Sequence, residues 1–290
     1  MCRLFGMSGG RNEVQATFWL LDAPMSLLLQ SKSQPDGVGL GTFDRDGTPS
    51  IYRKPVAANR SQTFIAGAQS VRSRTFIAHI RHGTGADPTV ENTHPFEQEG
   101  RMLGHNGVIG DHDDLRAKLG DYERFVQGST DSELFFALIT KRTDESGGDV
   151  IAGITAAARE IAAEIEMYSL NIVVTTATDV WALRYPETNE LWIMERSLAE
   201  VSGDDGFEER SASGIMRVHS GELAILPATV IASERMDSSD DWRLLDSGEL
   251  IHIDEDLNVT SQVAVHEPPA KMMVLEEEQA AAQAEPGRAS

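Results

Sequence analysis

The residue with the most chemistry in this chain is its one cysteine, which stands at position 2. Removal of Met1, which a small second residue favours, leaves Cys2 carrying a free α-amine and a thiol on one residue. An α-amine has a reference pKa of roughly 7.7–8.0, so a useful fraction is neutral near pH 7 and accepts a proton. A thiol at roughly 8.5 is already partly ionised and is a strong nucleophile. Covalent geometry alone then holds base beside nucleophile, the N-terminal variant of nucleophile activation. The competing reading is a small apolar residue in an N-terminal strand, and residue 2 alone does not choose between them. A second stretch with chemical content runs from Arg81 to Gly110. It is rich in Gly, His, Asn, Thr and Pro and has no clear period, as expected of functional loops inside a compact domain.

The elements that must position these residues follow from the hydrophobic pattern. Cys2 to Ser8 reads as a strand ending at the turn Gly9-Gly10, and residues 13–31 as helical with Pro24 breaking them. Gln34-Pro35-Asp36-Gly37 is a turn signal, followed by strands Val38 to Phe43 and Ser50 to Arg53 around Asp44-Arg45-Asp46-Gly47. Residues 61–71 suit a helix and Thr75 to Ile80 a buried strand. A helix is expected from Thr130 to Lys141, with Thr130 and Glu133 fitting a capping box. A second covers 148–166, where Val150, Ile154, Ala157, Ile161 and Ile165 recur at helical spacing. From Leu170 the pattern turns to strands: 171–176, 180–185, 191–195, 214–219, 223–226, 230–233, 250–253 and 259–265. Strands, then helices, then strands predict an α+β fold of helices layered on mainly antiparallel sheets. The chain divides into a domain over 1–266 and an acidic tail over 267–290, expected to be disordered apart from a short charged helix at 272–284. No internal repeat is visible.

Composition excludes several classes. The 290 residues carry a formal charge of −21, which argues against nucleic acid and anionic membranes as partners, because phosphate recognition needs clustered Lys and Arg. No apolar run reaches the length of a membrane span, and the N-terminus lacks the apolar core of a signal peptide. A lone cysteine forms no internal disulfide, in keeping with a reducing cytoplasmic setting.

Several motifs carry a family resemblance. Met1-Cys2-Arg3-Leu4-Phe5-Gly6-Met7-Ser8, Ala78-His79-Ile80-Arg81, Glu91-Asn92-Thr93-His94-Pro95-Phe96, His105-Asn106-Gly107 and Gly128-Ser129-Thr130-Asp131-Ser132-Glu133 together, in this order, resemble the class II glutamine amidotransferases. The resemblance is greatest to the stand-alone branch with the ergothioneine-pathway γ-glutamyl hydrolase and the glutathione-degrading amidotransferase. Ala232-Ser233-Glu234 and the stretch from Trp242 to Glu249 extend it to about residue 265. The resemblance implies an N-terminal-nucleophile (Ntn) hydrolase fold, an αββα sandwich of two antiparallel sheets between helical layers.

It also implies roles. Cys2 is the nucleophile with its own amine as base. Asn106 supplies its side-chain amide, and Gly107 its backbone N–H, to the oxyanion. Arg81 binds the substrate α-carboxylate and Asp131 the α-ammonium. His82, Gly83 and Thr84 line the pocket. Read as residues alone, Asn106-Gly107 is a plain hairpin turn, Asp131 an acidic residue in a helix's first turn, and Arg81 a surface or capping arginine. His94 and His105 read as structural hydrogen-bonding residues rather than ligands or acid/base groups. With no ligand spacing among the histidines and every reacting group a protein group, no metal and no cofactor are expected. The chain departs from the family pattern at Asp36-Gly37-Val38-Gly39, where an aromatic is common, and at His82-Gly83, which leaves the pocket wall and hence the substrate open.

The expected partner is therefore glutamine or a γ-glutamyl small molecule, cleaved by a stand-alone hydrolase, since the stretch beyond residue 266 reads as a short tail with no synthase domain. Two alternatives stand beside it: a glutaminase subunit feeding ammonia to a separate synthase, and a non-catalytic binding module that keeps the fold.

Overall fold

A strand buried along its whole length needs cover on both faces, and Arg3–Ser8 is buried at all six positions. The computed structural model, which describes residues 2–83, 86–196, 208–210, 217–219 and 226–275, supplies that cover as two sheets packed face to face between helices. In chain order the strands are β1 (Arg3–Ser8), β2 (Gly37–Phe43), β3 (Pro49–Lys54), β4 (Thr75–Arg81), β5 (Phe96–Gln98), β6 (Arg101–Ile109), β7 (Met167–Thr175), β8 (Val180–Leu183) and β9 (Trp192–Arg196). There follow the small pair β10 (Glu208–Arg210) and β11 (Arg217–His219), then β12 (Ala228–Ala232), β13 (Arg243–Leu244), β14 (Glu249–Ile253) and β15 (Val259–Val263). The helices are α1 (Leu27–Gln30), α2 (Gln62–Ser70), α3 (His112–Ala117), α4 (Asp131–Glu145) and α5 (Val150–Glu164).

One sheet has the order β13-β9-β12-β1-β4-β2-β3 and the other β15-β14-β8-β7-β6-β5. The pairings within both are antiparallel. Strand alternation sends Phe5 and Met7 of β1 toward Trp19 and Phe64 on the helical side. Leu4 instead packs with Ile77, Met102, Val173 and Ile251 between the sheets. On the outer face of the second sheet, Phe135 and Leu138 of α4 and Ile154, Ala157 and Ile161 of α5 pack on Leu103, Ile172 and Leu183. The layers are helix, sheet, sheet, helix, the expected αββα sandwich.

Local chemistry explains where α4 starts. Thr130 Oγ1 accepts from Glu133 N at 3.3 Å, as the capping box requires. The Glu133 carboxylate reaches further back, to Gly128 N at 2.6 Å, so the box closes around a wider loop. Asp149 caps α5 through Ala152 N.

Four expectations differ. Residues 13–31 hold no long helix. Val14 bridges to Ser73, a single π-helical turn covers Phe18–Asp22, and the one turn of α1 restarts after Pro24 with Ser26 Oγ accepting from Leu29 N. The stretch 81–110 is not all loop, because β5 and the nine-residue β6 lie in it. Asn106-Gly107 is accordingly mid-strand, paired with Asn171 and Leu170 of β7, and is not a hairpin turn. The boundary at 266 falls within packed chain: Ala270 N donates to Ala162 O, Met167 N to Lys271 O and Met273 N to Met167 O. These bonds complete main-chain groups at the end of α5 and the start of β7. Of the strands expected over 214–219 and 223–226, residues 214–216 and 223–225 lie outside the described residues, as does the chain from 276.

Candidate functional site

β1 and β4 are neighbours, with Arg3 opposite Ile80, and that register sets Cys2 beside the residues that leave β4. The Cys2 thiol donates to His82 O at 3.5 Å, and Sγ accepts from His82 N at 3.3 Å. Burial pushes the thiol's pKa up. The His82 N–H and the Arg81 charge pull it down, and Asp131 pushes it up. Because desolvation is the largest of these effects, ionising Cys2 requires a base to take its proton.

Arg81 ends β4 and is buried. Its Nη2 donates to Ala86 O at 2.5 Å. A Cβ on Gly83 would stand 2.6 Å from Nη1, so the guanidinium lies across Gly83. The loop is held from behind by Asp36, whose Oδ2 accepts from Gly83 N at 2.9 Å. The sequence marked Asp36 only as part of a turn.

Asp131 opens α4. Its Oδ2 accepts from Ile109 N at 2.8 Å, and its Oδ1 lies 2.7 Å from Ser132 N and 3.1 Å from Ser132 Oγ. Ser132 Oγ also lies 2.9 Å from His105 Nδ1, while His105 Nε2 lies 3.1 Å from Ser169 O. Burial lowers the His105 pKa against the opposing pull of Asp131 and Ser169 O. A neutral His105 keeps its proton on Nε2 for the carbonyl and accepts the single Ser132 hydroxyl proton at Nδ1.

Gly107 follows in β6. A Cβ there would fall 1.8 Å from Ser169 O and 2.6 Å from His105 Nε2, so no side chain fits. Asn106, between them, is 1% exposed. Its carbonyl accepts from Asn189 Nδ2 at 3.2 Å. Among the described residues neither its Nδ2 nor its Oδ1 has a hydrogen-bond partner. A buried amide in that condition costs about 1–3 kcal/mol.

A cavity of about 570 Å³ brings Cys2, Arg81, His82, Gly107 and Asp131 together. Asn106 is not part of its lining, and Thr84 lies outside the described residues. The lining also includes His112, Ser129, Ser132 and Met273, which sequence reasoning did not single out. For Ser132 the signal was its place beside Asp131. For Met273 there was none, since it arrives from a segment read as tail.

His105 meets the expectation of a hydrogen-bonded structural residue, and His94 does not. Among the described residues neither His94 ring nitrogen has a partner. Its ring packs on His79 at 4.1 Å between centroids and on Phe96 at 4.5 Å. A Cβ on Gly39 of β2 would stand 1.8 Å from His94 O, so this strand and the histidine's backbone touch directly. Burial pushes His79 down to about 3 and His94 well below its usual value, so both rings are neutral near pH 7. Among the described residues no group of three or more His, Cys, Asp or Glu side chains is placed to hold a metal ion, and no helix is long and apolar enough to cross a membrane.

A family model described as glutamine amidotransferases class-II matches residues 1–276. Among similar proteins, the Saccharomyces cerevisiae protein named Probable glutamine amidotransferase DUG3 is 28% identical over 170 residues, 51% of this chain and 47% of that protein. The glutamine–fructose-6-phosphate aminotransferase (isomerizing) of Wigglesworthia glossinidia brevipalpis is 30% identical over 116 residues, 40% of this chain and 19% of that protein. The chain thus spans less than half the length of these two curated relatives. Among solved structures, the B. subtilis glutamine phosphoribosylpyrophosphate amidotransferase superposes with a TM-score of 0.62 at 19% identity, covering 92% of this chain and 50% of that one. A class-II domain protein from Silicibacter pomeroyi superposes at 0.58 and 17%, covering 91% and 100%. At these identities the likeness is one of fold.

Proposed function

The chain belongs to the class II glutamine amidotransferases, enzymes that hydrolyse the side-chain amide of glutamine, and from that premise we propose that it cleaves the γ-amide of glutamine or of a γ-glutamyl compound through a thioester on Cys2. Once Met1 is removed, the Cys2 amine takes the thiol proton and the thiolate attacks the carbonyl carbon of the γ-carboxamide. The resulting oxyanion is held by the Asn106 amide and the Gly107 N–H. The Cys2 ammonium returns its proton to the departing amine or ammonia as the C–N bond breaks. Water, giving a proton to the Cys2 amine, then attacks the thioester carbon, and that proton passes to the departing thiolate. Glutamate leaves and the thiol is restored. Arg81 holds the substrate α-carboxylate and Asp131 its α-ammonium, a pair of opposite charges matched to an amino-acid end. His82 lines the pocket beside Arg81, and Thr84 is proposed to complete that wall.

The observation that carries this reading is the cavity itself. It collects a thiol, a buried guanidinium and a helix-start carboxylate from three distant parts of the chain. The unpartnered Asn106 amide supports it too, as a donor set up for a charge that arrives only during reaction. The cavity volume of about 570 Å³ lies within the range of small-molecule sites, about 300–1,000 Å³.

The test is an intact-mass spectrum before and after exposure to 6-diazo-5-oxo-L-norleucine, with the adduct mapped to its residue. Loss of Met1 and one adduct on Cys2 is the expected result. Retained Met1 with no adduct rejects the mechanism. A second reading, in which the ammonia passes to a separate synthase, draws on the aminotransferase match, where the similar stretch is 19% of a larger protein. Glutaminase activity that rises sharply on adding a co-purifying partner selects it.

A further inference from the structure

A chain terminus frays unless it is tied down, and a nucleophile at residue 2 needs its residue held at the cavity. The tie comes from the far end of the sequence. Ser233, directly after β12, donates its N–H to Leu4 O at 3.0 Å, and its Oγ accepts from Leu4 N at 2.9 Å. Glu234 is next, with Oε1 3.3 Å from Arg3 Nε. Arg3 is 1% exposed, and among the described residues its Nε and Nη2 have no hydrogen-bond partner. Glu234 is therefore the counter-charge of a guanidinium buried one residue from the nucleophile. Ala232-Ser233-Glu234 was marked in the sequence by resemblance alone, with no chemistry attached.

We propose that Arg3 and Glu234 form a positioning pair that, with Ser233, fixes the first strand so that the Cys2 amine and thiol stay in place at the cavity. The proposal rests on the reading of Cys2 as nucleophile. Successive strand side chains point to opposite faces, so Arg3 anchors on the face away from Leu4 and leaves the Cys2 side free for substrate. With residue 3 held by its side chain and residue 4 by its main chain, Cys2 keeps little more than its own torsions. Other charges also act on this terminus: Arg81 from β4 and Asp131 from α4 on the thiol, and Asp36 and Arg3 on the neighbouring His82. Removing one partner of a buried ion pair strands the other, whereas replacing both by apolar groups does not. That difference separates a positioning role from a purely structural one.

The experiment first labels wild-type Cys2 with 6-diazo-5-oxo-L-norleucine. Failure to label removes the nucleophile reading and this proposal with it. With labelling established, Glu234→Gln lowers kcat for glutamine about tenfold or more, the scale of a small misplacement of a reacting group, with KM within about twofold. The acid limb of its pH profile moves to lower pH, since the Arg3 charge one residue from the amine has lost its counter-charge. Glu234→Asp keeps the limb in place. Arg3→Met with Glu234→Met restores the Tm while kcat stays low. Recovery of kcat together with Tm in the double variant, or an unmoved acid limb in Glu234→Gln, overturns the proposal.

Discussion

The two walls of the cavity differ in how fully their polar groups are engaged. On the α4 wall, Asp131 already receives N–H donors from Ile109 and Ser132, and both His105 nitrogens have partners in Ser132 Oγ and Ser169 O. On the other wall, among the described residues, both His94 nitrogens and His82 Nδ1 have none, and neither does the Asn106 amide, which lies outside the lining. A fully bonded wall is rigid before substrate arrives and presents a fixed charge. A wall with open donors makes its best interaction with something that is not yet there. The first suits ground-state binding, the second a charge that develops on the reaction path.

Substitutions can break that contrast or sharpen it. The largest effect is expected from Cys2→Ala, which removes the group both walls serve and lowers kcat on the order of a millionfold. Turnover at the parent rate would falsify the mechanism. Next comes Asn106→Ala. Loss of an oxyanion donor costs roughly 10²–10³ in kcat, yet the buried orphan amide goes with it, so Tm holds or rises. A fall in both together would place Asn106 among the structural residues. Asp131→Asn should behave in the opposite way. KM for glutamine rises about tenfold to a hundredfold as a charged hydrogen bond is lost, and Tm falls because the amide keeps one oxygen, so either Ile109 N or Ser132 N loses its acceptor. If KM stays put in steady-state assays, Asp131 is only a helix cap.

The smallest effect tests the histidines behind the open wall. His79 sits at about 3 when folded against roughly 6.5 unfolded, so the unfolded chain takes up the proton first as pH falls. Stability from this group is complete above about pH 6.5 and is lost progressively toward pH 3. By pH 5.5 the loss is on the order of 1 kcal/mol. Melts of wild type and His79→Gln between pH 7.5 and 5 should diverge accordingly. Parallel curves would mean that the ring is not kept neutral.

The bonded wall was the more legible of the two. Thr130, Asp131 and Glu133 show in sequence as a helix start, because capping is a local code. Strands such as β1 and β4 show through apolar runs, and the face of α5 through its helical spacing. β6 did not show. It is a central strand, yet Gly104, His105, Asn106 and Gly107 interrupt its apolar pattern with small and polar residues, and Asn-Gly imitates a turn. The segment after 266 was missed because its bonds to Ala162 and Met167 are main-chain, and main-chain pairing leaves little trace in residue type. Arg3 gave no sign of burial, since its counter-charge lies more than two hundred residues away in sequence.

The stack of His79 on His94 has a consequence for how this molecule can be watched. Two neutral imidazoles with centroids 4.1 Å apart shift each other's proton resonances by ring current, and neither should titrate across the neutral range. One of them borders the cavity. Their ring signals are therefore an internal gauge of occupancy, set at a fixed frequency in the free protein and displaced when a ligand settles against His94, with no label added and no turnover required.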